Sequence, residues 1–167
     1  KMDAISAHKI GGPKGIGALV VKRGTDIAAH IKGGGQEMGR RSGTENIIGI
    51  AGFGAAATSA SKDLESGVWK EIEILRDFLE NALLEADHST IIIGKDARRL
   101  PNTSCLVTPG WKGETQVMQM DLDNIAISAG SACSSGKVKS SRVLKAMGFD
   151  DKAASSAIRV SLGPETT

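Results

Sequence analysis

Tyrosine is absent, and aromatic residues make up only 3 % of the 167-residue chain. Stacking platforms for nucleobases are therefore not expected. The formal net charge is +2, too small to direct the chain to nucleic acid or to an anionic membrane. No apolar run is long enough to span a bilayer, and no secretory signal is visible. Lys1 stands where an initiator methionine would, and Met2-Asp3-Ala4-Ile5 already reads as the end of a strand. Cysteine occurs twice, at Cys105 and Cys133, without the close spacing of a metal-binding pair. Spacing alone leaves a disulfide between them open. The simpler reading is a reduced, cytoplasmic protein with one structural and one reactive thiol.

What is present is ordinary for a globular protein. Hydrophobic residues make up 40 % and charged residues 24 %, enough to bury a core. The length suits one domain, or a small domain joined to part of a larger one. Residues 16–21 (IGALVV) predict a strand followed by a turn. Residues 33–43 are rich in glycine and read as a loop, with Thr44 as the expected cap of the helix that follows. From about residue 62 to residue 86, Leu64, Val68, Ile72, Leu75, Leu79, Ala82 or Leu83, and Ala86 recur at steps of three and four. That is a packing helix with Lys70, Glu71, Glu73, Arg76 and Asp77 on its polar side. Strands are expected at 91–93, 103–108, 125–127 and 157–162, and helices at 114–122 and 141–147. The alternation marks an α/β unit.

Four segments carry chemistry. Lys9 lies in Ser6-Ala7-His8-Lys9, directly before Gly11-Gly12-Pro13-Lys14-Gly15. A lysine amine can form a Schiff base with an aldehyde cofactor, and Ser6 and His8 can donate hydrogen bonds to a phosphate. A bare His-Lys pair equally fits a surface turn. In residues 33–46 (GGGQEMGRRSGTEN), glycines, Arg40, Arg41, Ser42 and Thr44 precede a helix and can form an anion site from backbone N–H groups and hydroxyls. A flexible basic turn is the alternative. Cys133 lies among serines, alanines and glycines in residues 128–136 (SAGSACSSG), a setting that leaves a thiol reachable. Lys137 and Lys139 follow it and favour the thiolate. Arg159, on the apolar strand of residues 157–162, needs a partner: a substrate carboxylate or a salt bridge.

Taken together, SAHKIGGPKGIGALVV, GGGQEMGRRSGTEN, SAGSACSSG and IRVSLG resemble cysteine desulfurases of the NifS and IscS type, fold type I, class V enzymes dependent on pyridoxal 5'-phosphate (PLP). The resemblance runs over essentially the whole chain. It implies an α/β fold: residues 1–57 as the end of the large PLP-binding domain, and residues 58–167 as most of the small C-terminal domain with the cysteine loop. It implies that Lys9 is the lysine that binds PLP covalently and that Ser6 and His8 are phosphate ligands. Thr44 matches the threonine that reaches the cofactor phosphate of the other subunit in a homodimer. Arg159 matches the clamp on the substrate α-carboxylate, and Cys133 the nucleophile. Cys105 matches no role and is expected in the core. The implied reaction converts L-cysteine to L-alanine and leaves a persulfide on Cys133. The sulfur then serves iron–sulfur cluster or nitrogenase metallocluster assembly through a scaffold or other acceptor protein. No resident metal is implied; Cys133 would meet iron–sulfur chemistry only while handing sulfur on. The family's other half, with its first phosphate-binding loop, ring-stacking group and pyridine-pairing Asp, has no match here, so the 167-residue piece alone is expected to be inactive. Another class V enzyme, such as an aminotransferase or a selenocysteine lyase, would keep Lys9 and Arg159 but leave the cysteine loop unexplained. A non-catalytic dimerisation or acceptor-docking module is the remaining alternative.

Overall fold

A computed structural model describes residues 2–129 and 140–167. The chain divides into two compact units, Lys1–Ser66 and Gly67–Thr167. The first begins with an antiparallel hairpin of β1 (Met2–Ser6) and β2 (Gly17–Val21). A single 3-10 turn, Ala7–Ile10, follows β1, and another spans Gln36–Gly39. The unit ends in α1, Ile47–Ser66. The expected division between residues 57 and 58 falls inside this continuous helix.

Thr44 does not cap α1. Asn46, the residue just before the first helical position, does so: its Oδ1 accepts the N–H of Gly49 at 3.0 Å. An N-cap side chain must reach the N–H three residues on, and Thr44 stands two residues too early. The helix expected over 62–86 is divided as well. Gly67 adopts φ 82°, a left-handed conformation that ends α1, and α2 (Val68–Ala86) starts beyond it.

The second unit packs helices on a four-stranded sheet in the order β3 (Ile91–Ile92), β4 (Thr103–Val107), β6 (Ala157–Ser161), β5 (Ser128–Ala129). Every pairing is antiparallel. The strand expected at 125–127 forms instead at Ser128–Ala129. Ile125 is still held by α3 (Gly113–Leu122), its N–H donating to the Met120 carbonyl at 2.8 Å, and Asn124 turns the chain with φ 60°. Two short helices, α4 (Arg142–Ala146) and α5 (Asp151–Ser155), are capped by Ser141 and Asp150. The core joins Val107, Leu144, Ala154 and Ala157, with Ile93, Phe149 and Ala153 against it. Among the described residues, no helix is long and apolar enough to cross a membrane.

The inner face of α2 differs from the periodic reading in one respect. Ile72, Arg76 and Glu80, spaced by four, are all buried, whereas the periodicity puts Arg76 on the polar side. The reason is a charge network. Glu80 accepts two hydrogen bonds from the Arg99 guanidinium, at 2.7 and 2.9 Å, and one from the Ser104 hydroxyl of β4 at 2.6 Å. Arg76 donates to Asp77 and to the Leu100 carbonyl. Burial opposes ionisation of Glu80, but the Arg99 and Ser104 hydrogen bonds and the charges of Arg99 and Arg76 outweigh it. The carboxyl is thus held below its ordinary value of 4.5.

A lowered carboxyl pKa contributes stability that is present above the ordinary glutamate range and is lost as pH falls through the lowered value. Glu80→Ala leaves the Arg99 guanidinium without its acceptor and should destabilise the protein by about 3 kcal/mol, in the range for breaking a buried pair. Urea unfolding at neutral pH measures this. Glu80→Gln should remove part of the loss of stability on acidification; an acid profile identical to the parent's would rule the network out as its source.

Candidate active site

The turn that carries Lys9 is built from glycines and one buried alanine. Ser6 pairs with Gly17 across the hairpin. A Cβ at Gly17 would collide with the Ile5 carbonyl oxygen, so only glycine allows the strands this approach. Ala7 is fully buried. Its N–H donates to the Ile16 carbonyl at 3.1 Å, and its carbonyl accepts the Gly12 N–H at 2.8 Å. Gly11, at φ 83°, closes the turn. From below, α1 supports it: an added Cβ on Gly52 would come within 2.5 Å of the Pro13 ring, and one on Gly12 within 3.2 Å of Ala56. The anchored backbone leaves Ser6, His8 and Lys9 exposed side by side in sequence. None of their side chains bonds another described residue. The structure thus brings these three expected residues together on one rigid turn.

Thr44 belongs to a separate loop of the same unit. The Ser42 N–H donates to the Ile31 carbonyl at 3.0 Å, and its hydroxyl to the Gly34 carbonyl at 3.1 Å. Arg41 folds back over the loop: one terminal nitrogen donates to the carbonyls of Ser42, Gly43 and Thr44 at 3.2, 2.6 and 3.4 Å. Another meets Glu37 at 3.5 Å. Thr44 itself is exposed, and its hydroxyl bonds no described residue.

Arg159 lies in the second unit. It occupies the middle of a cross-strand row, opposite Cys105 on β4 and Ser128 on β5. Residues directly opposite in an antiparallel sheet share a face. The guanidinium is exposed and makes no ion pair or hydrogen bond among the described residues, so the salt-bridge alternative has no support there. Cys105 is a free, half-buried thiol rather than the core residue expected. The core covers Val107, two residues along β4, and stops short of the Cys105 row. Burial pushes the Cys105 thiol up and so favours its neutral form, partly offset by the Arg159 charge. Cys133, Lys137 and Lys139 lie outside the described residues.

The sequence model of the aminotransferase class-V family matches residues 2–167. The chain belongs to that family. A cysteine desulfurase of Sinorhizobium fredii is 45 % identical over 163 residues, covering 96 % of this chain and 41 % of the relative. One from Cereibacter sphaeroides is 43 % identical over 166 residues, covering 99 % of this chain and 42 % of its own. In structure, a NifS-like protein from Rickettsia africae superposes with a TM-score of 0.84 at 36 % identity, over 99 % of this chain and 43 % of that one. The class-V chain therefore spans about two-fifths of the length of the curated relatives it matches, and its fold is that of the fold type I enzymes.

A class-V site must hold a phosphorylated aldehyde. The donors present suit one: an amine that can bond the aldehyde carbon, and hydroxyl, imidazole and backbone N–H groups that can meet a phosphate. Glycines at positions 11, 12, 15 and 17 admit close backbone approach around Lys9. Sequence reasoning named Ser6, His8, Lys9, Thr44 and Arg159, and grouped Arg41 with the anion-site residues, but it did not foresee that Arg41 turns to carbonyls of its own loop, partners that no side-chain pattern announces.

Proposed function

We propose that the protein is a PLP-dependent cysteine desulfurase that acts as a homodimer. The observation that carries this reading is the anchored turn presenting Ser6, His8 and Lys9 with unbonded side chains. Lys9 would hold the cofactor through its amine, with Ser6 and His8 on the phosphate and Thr44 on the phosphate of the other subunit. When bound, PLP supplies an electron sink for charge developing at the substrate Cα. The Arg159 guanidinium clamps the α-carboxylate of L-cysteine in a bidentate pair. The Lys9 amine, freed by the substrate, moves protons at Cα. The Cys133 thiolate attacks the substrate sulfur. The substrate C–S bond breaks, an S–S bond forms, and after protonation the carbon skeleton leaves as L-alanine. The persulfide on Cys133 then passes its sulfur to an acceptor for cluster assembly, chemistry suited to the reducing cytoplasm.

The relatives named as cysteine desulfurases support this reading over an aminotransferase, as does Cys133 in the sequence. The test is product analysis: the full-length protein with PLP, L-cysteine and an excess of a dithiol that reduces the persulfide should release alanine and sulfide in equal amounts. A keto acid in place of alanine would identify a transaminase instead.

Arg159 yields a separate expectation. Arg159→Lys should raise KM for L-cysteine by about tenfold to a hundredfold, the loss of one charge-assisted bidentate pair, with a smaller change in kcat. Cysteamine, which lacks the carboxylate, should be used equally poorly by parent and variant. A variant that loses activity toward both compounds in proportion would place Arg159 outside the carboxylate site.

A further inference from the structure

We infer that Arg41 is a positioning residue for an oxyanion held at Thr44; the inference rests on the reading above, in which that oxyanion is the cofactor phosphate. In a planar trans peptide the C=O of one residue and the N–H of the next point in opposite directions. Arg41 gathers the carbonyls of Ser42, Gly43 and Thr44 on one side of the loop. The N–H groups of Gly43, Thr44 and Glu45 are therefore turned to the other side. Among the described residues none of the three has an acceptor, and the Thr44 hydroxyl bonds nothing. Gly43 takes φ 100°, a conformation that lets successive N–H groups converge in an anion-binding concavity.

The remaining contacts hold the clamp itself. Glu37 pairs with the far side of the guanidinium, and the two Ser42 bonds fix the start of the segment to Ile31 and Gly34. Arg41 turns one terminal nitrogen to the carbonyls and the other to Glu37, so its effect on the phosphate passes through the orientation of three amides and a hydroxyl. It is not a ligand in its own right.

The test compares PLP with pyridoxal, which carries the same aldehyde and no phosphate. The full-length apoprotein is titrated with each, binding being read from the visible absorbance of the lysine-bound ligand. Arg41→Ala should weaken PLP by about tenfold, the scale of one to two charge-assisted hydrogen bonds, and leave pyridoxal unchanged. Thr44→Val should act in the same direction. The double variant should be no worse than the weaker single variant, because both changes disable one phosphate contact. Arg41→Gln, which keeps a shorter donor for the carbonyls, should fall between parent and Arg41→Ala. An equal loss for PLP and pyridoxal would mean a merely structural role and would overturn the inference, as would multiplicative effects in the double variant. A loss in Thr44→Val without one in Arg41→Ala also overturns it while sparing the proposed function. An unchanged PLP-to-pyridoxal ratio in Thr44→Val would instead sink the assignment of Thr44 to the phosphate.

Discussion

Replacing Lys9 by alanine should abolish the visible absorbance of lysine-bound PLP and lower cysteine turnover by about 10³-fold or more, the scale of losing a positioned acid–base group. On the proposed reading two functions go at once: the covalent hold on the cofactor and the amine that moves protons at the substrate Cα. The structure makes the substitution clean. Lys9 is exposed, and the turn beneath it is held by Ala7, Gly11, Gly12 and α1 rather than by the lysine side chain. Unfolding by urea should therefore be unchanged. The neighbouring Lys14 provides the control: Lys14→Ala should keep both absorbance and turnover. If Lys9→Ala retained the absorbance and Lys14→Ala lost it, the cofactor lysine would be Lys14 and the role of the anchored turn would need to be redrawn.

The second large effect concerns Cys133. Cys133→Ser should cut sulfide and alanine release by about 10³-fold while PLP binding persists, since a hydroxyl is neither ionised at neutral pH nor able to carry sulfur. After incubation with L-cysteine, the parent protein should gain the mass of a sulfur atom on the peptide containing Cys133, and the variant should not. Cys105 is the internal comparison. Burial keeps its thiol protonated, so Cys105→Ala should leave the sulfur label on Cys133. Label on Cys105 in the parent would transfer the nucleophile's role to β4. Full activity in Cys133→Ser would remove the persulfide step from the reaction.

Much of the candidate site is legible in the sequence because its chemistry is local. Ser6, His8 and Lys9 fall within four residues at a strand end, and the glycines after them announce a turn whose side chains stand free. Arg159 was legible for the opposite reason: a guanidinium on an apolar strand is conspicuous. The boundaries were less legible. The apolar pattern over 62–86 hides the break at Gly67, because a single glycine interrupts a helical period without altering it. The Thr44 assignment failed as a cap because Thr and Asn are both good caps, and only the backbone shows where helical dihedrals begin.

By itself, the sequence determined the family, the turn that holds Ser6, His8 and Lys9, the strand bearing Arg159 and the small-residue setting of Cys133. Each depends on residue types a few positions apart. Tertiary structure alone decided three things. It buried Glu80 on α2 by bringing Arg99 and Ser104 to it from 19 and 24 residues beyond, and Arg76 beside it by bringing the Leu100 carbonyl. It placed Cys105 and Ser128 on either side of Arg159 through strand register. It folded Arg41 onto three carbonyls of its own loop. The physical reason is common to all three: charges and register are satisfied by partners that chain folding delivers, and backbone carbonyls, which every residue carries, leave no mark in the sequence.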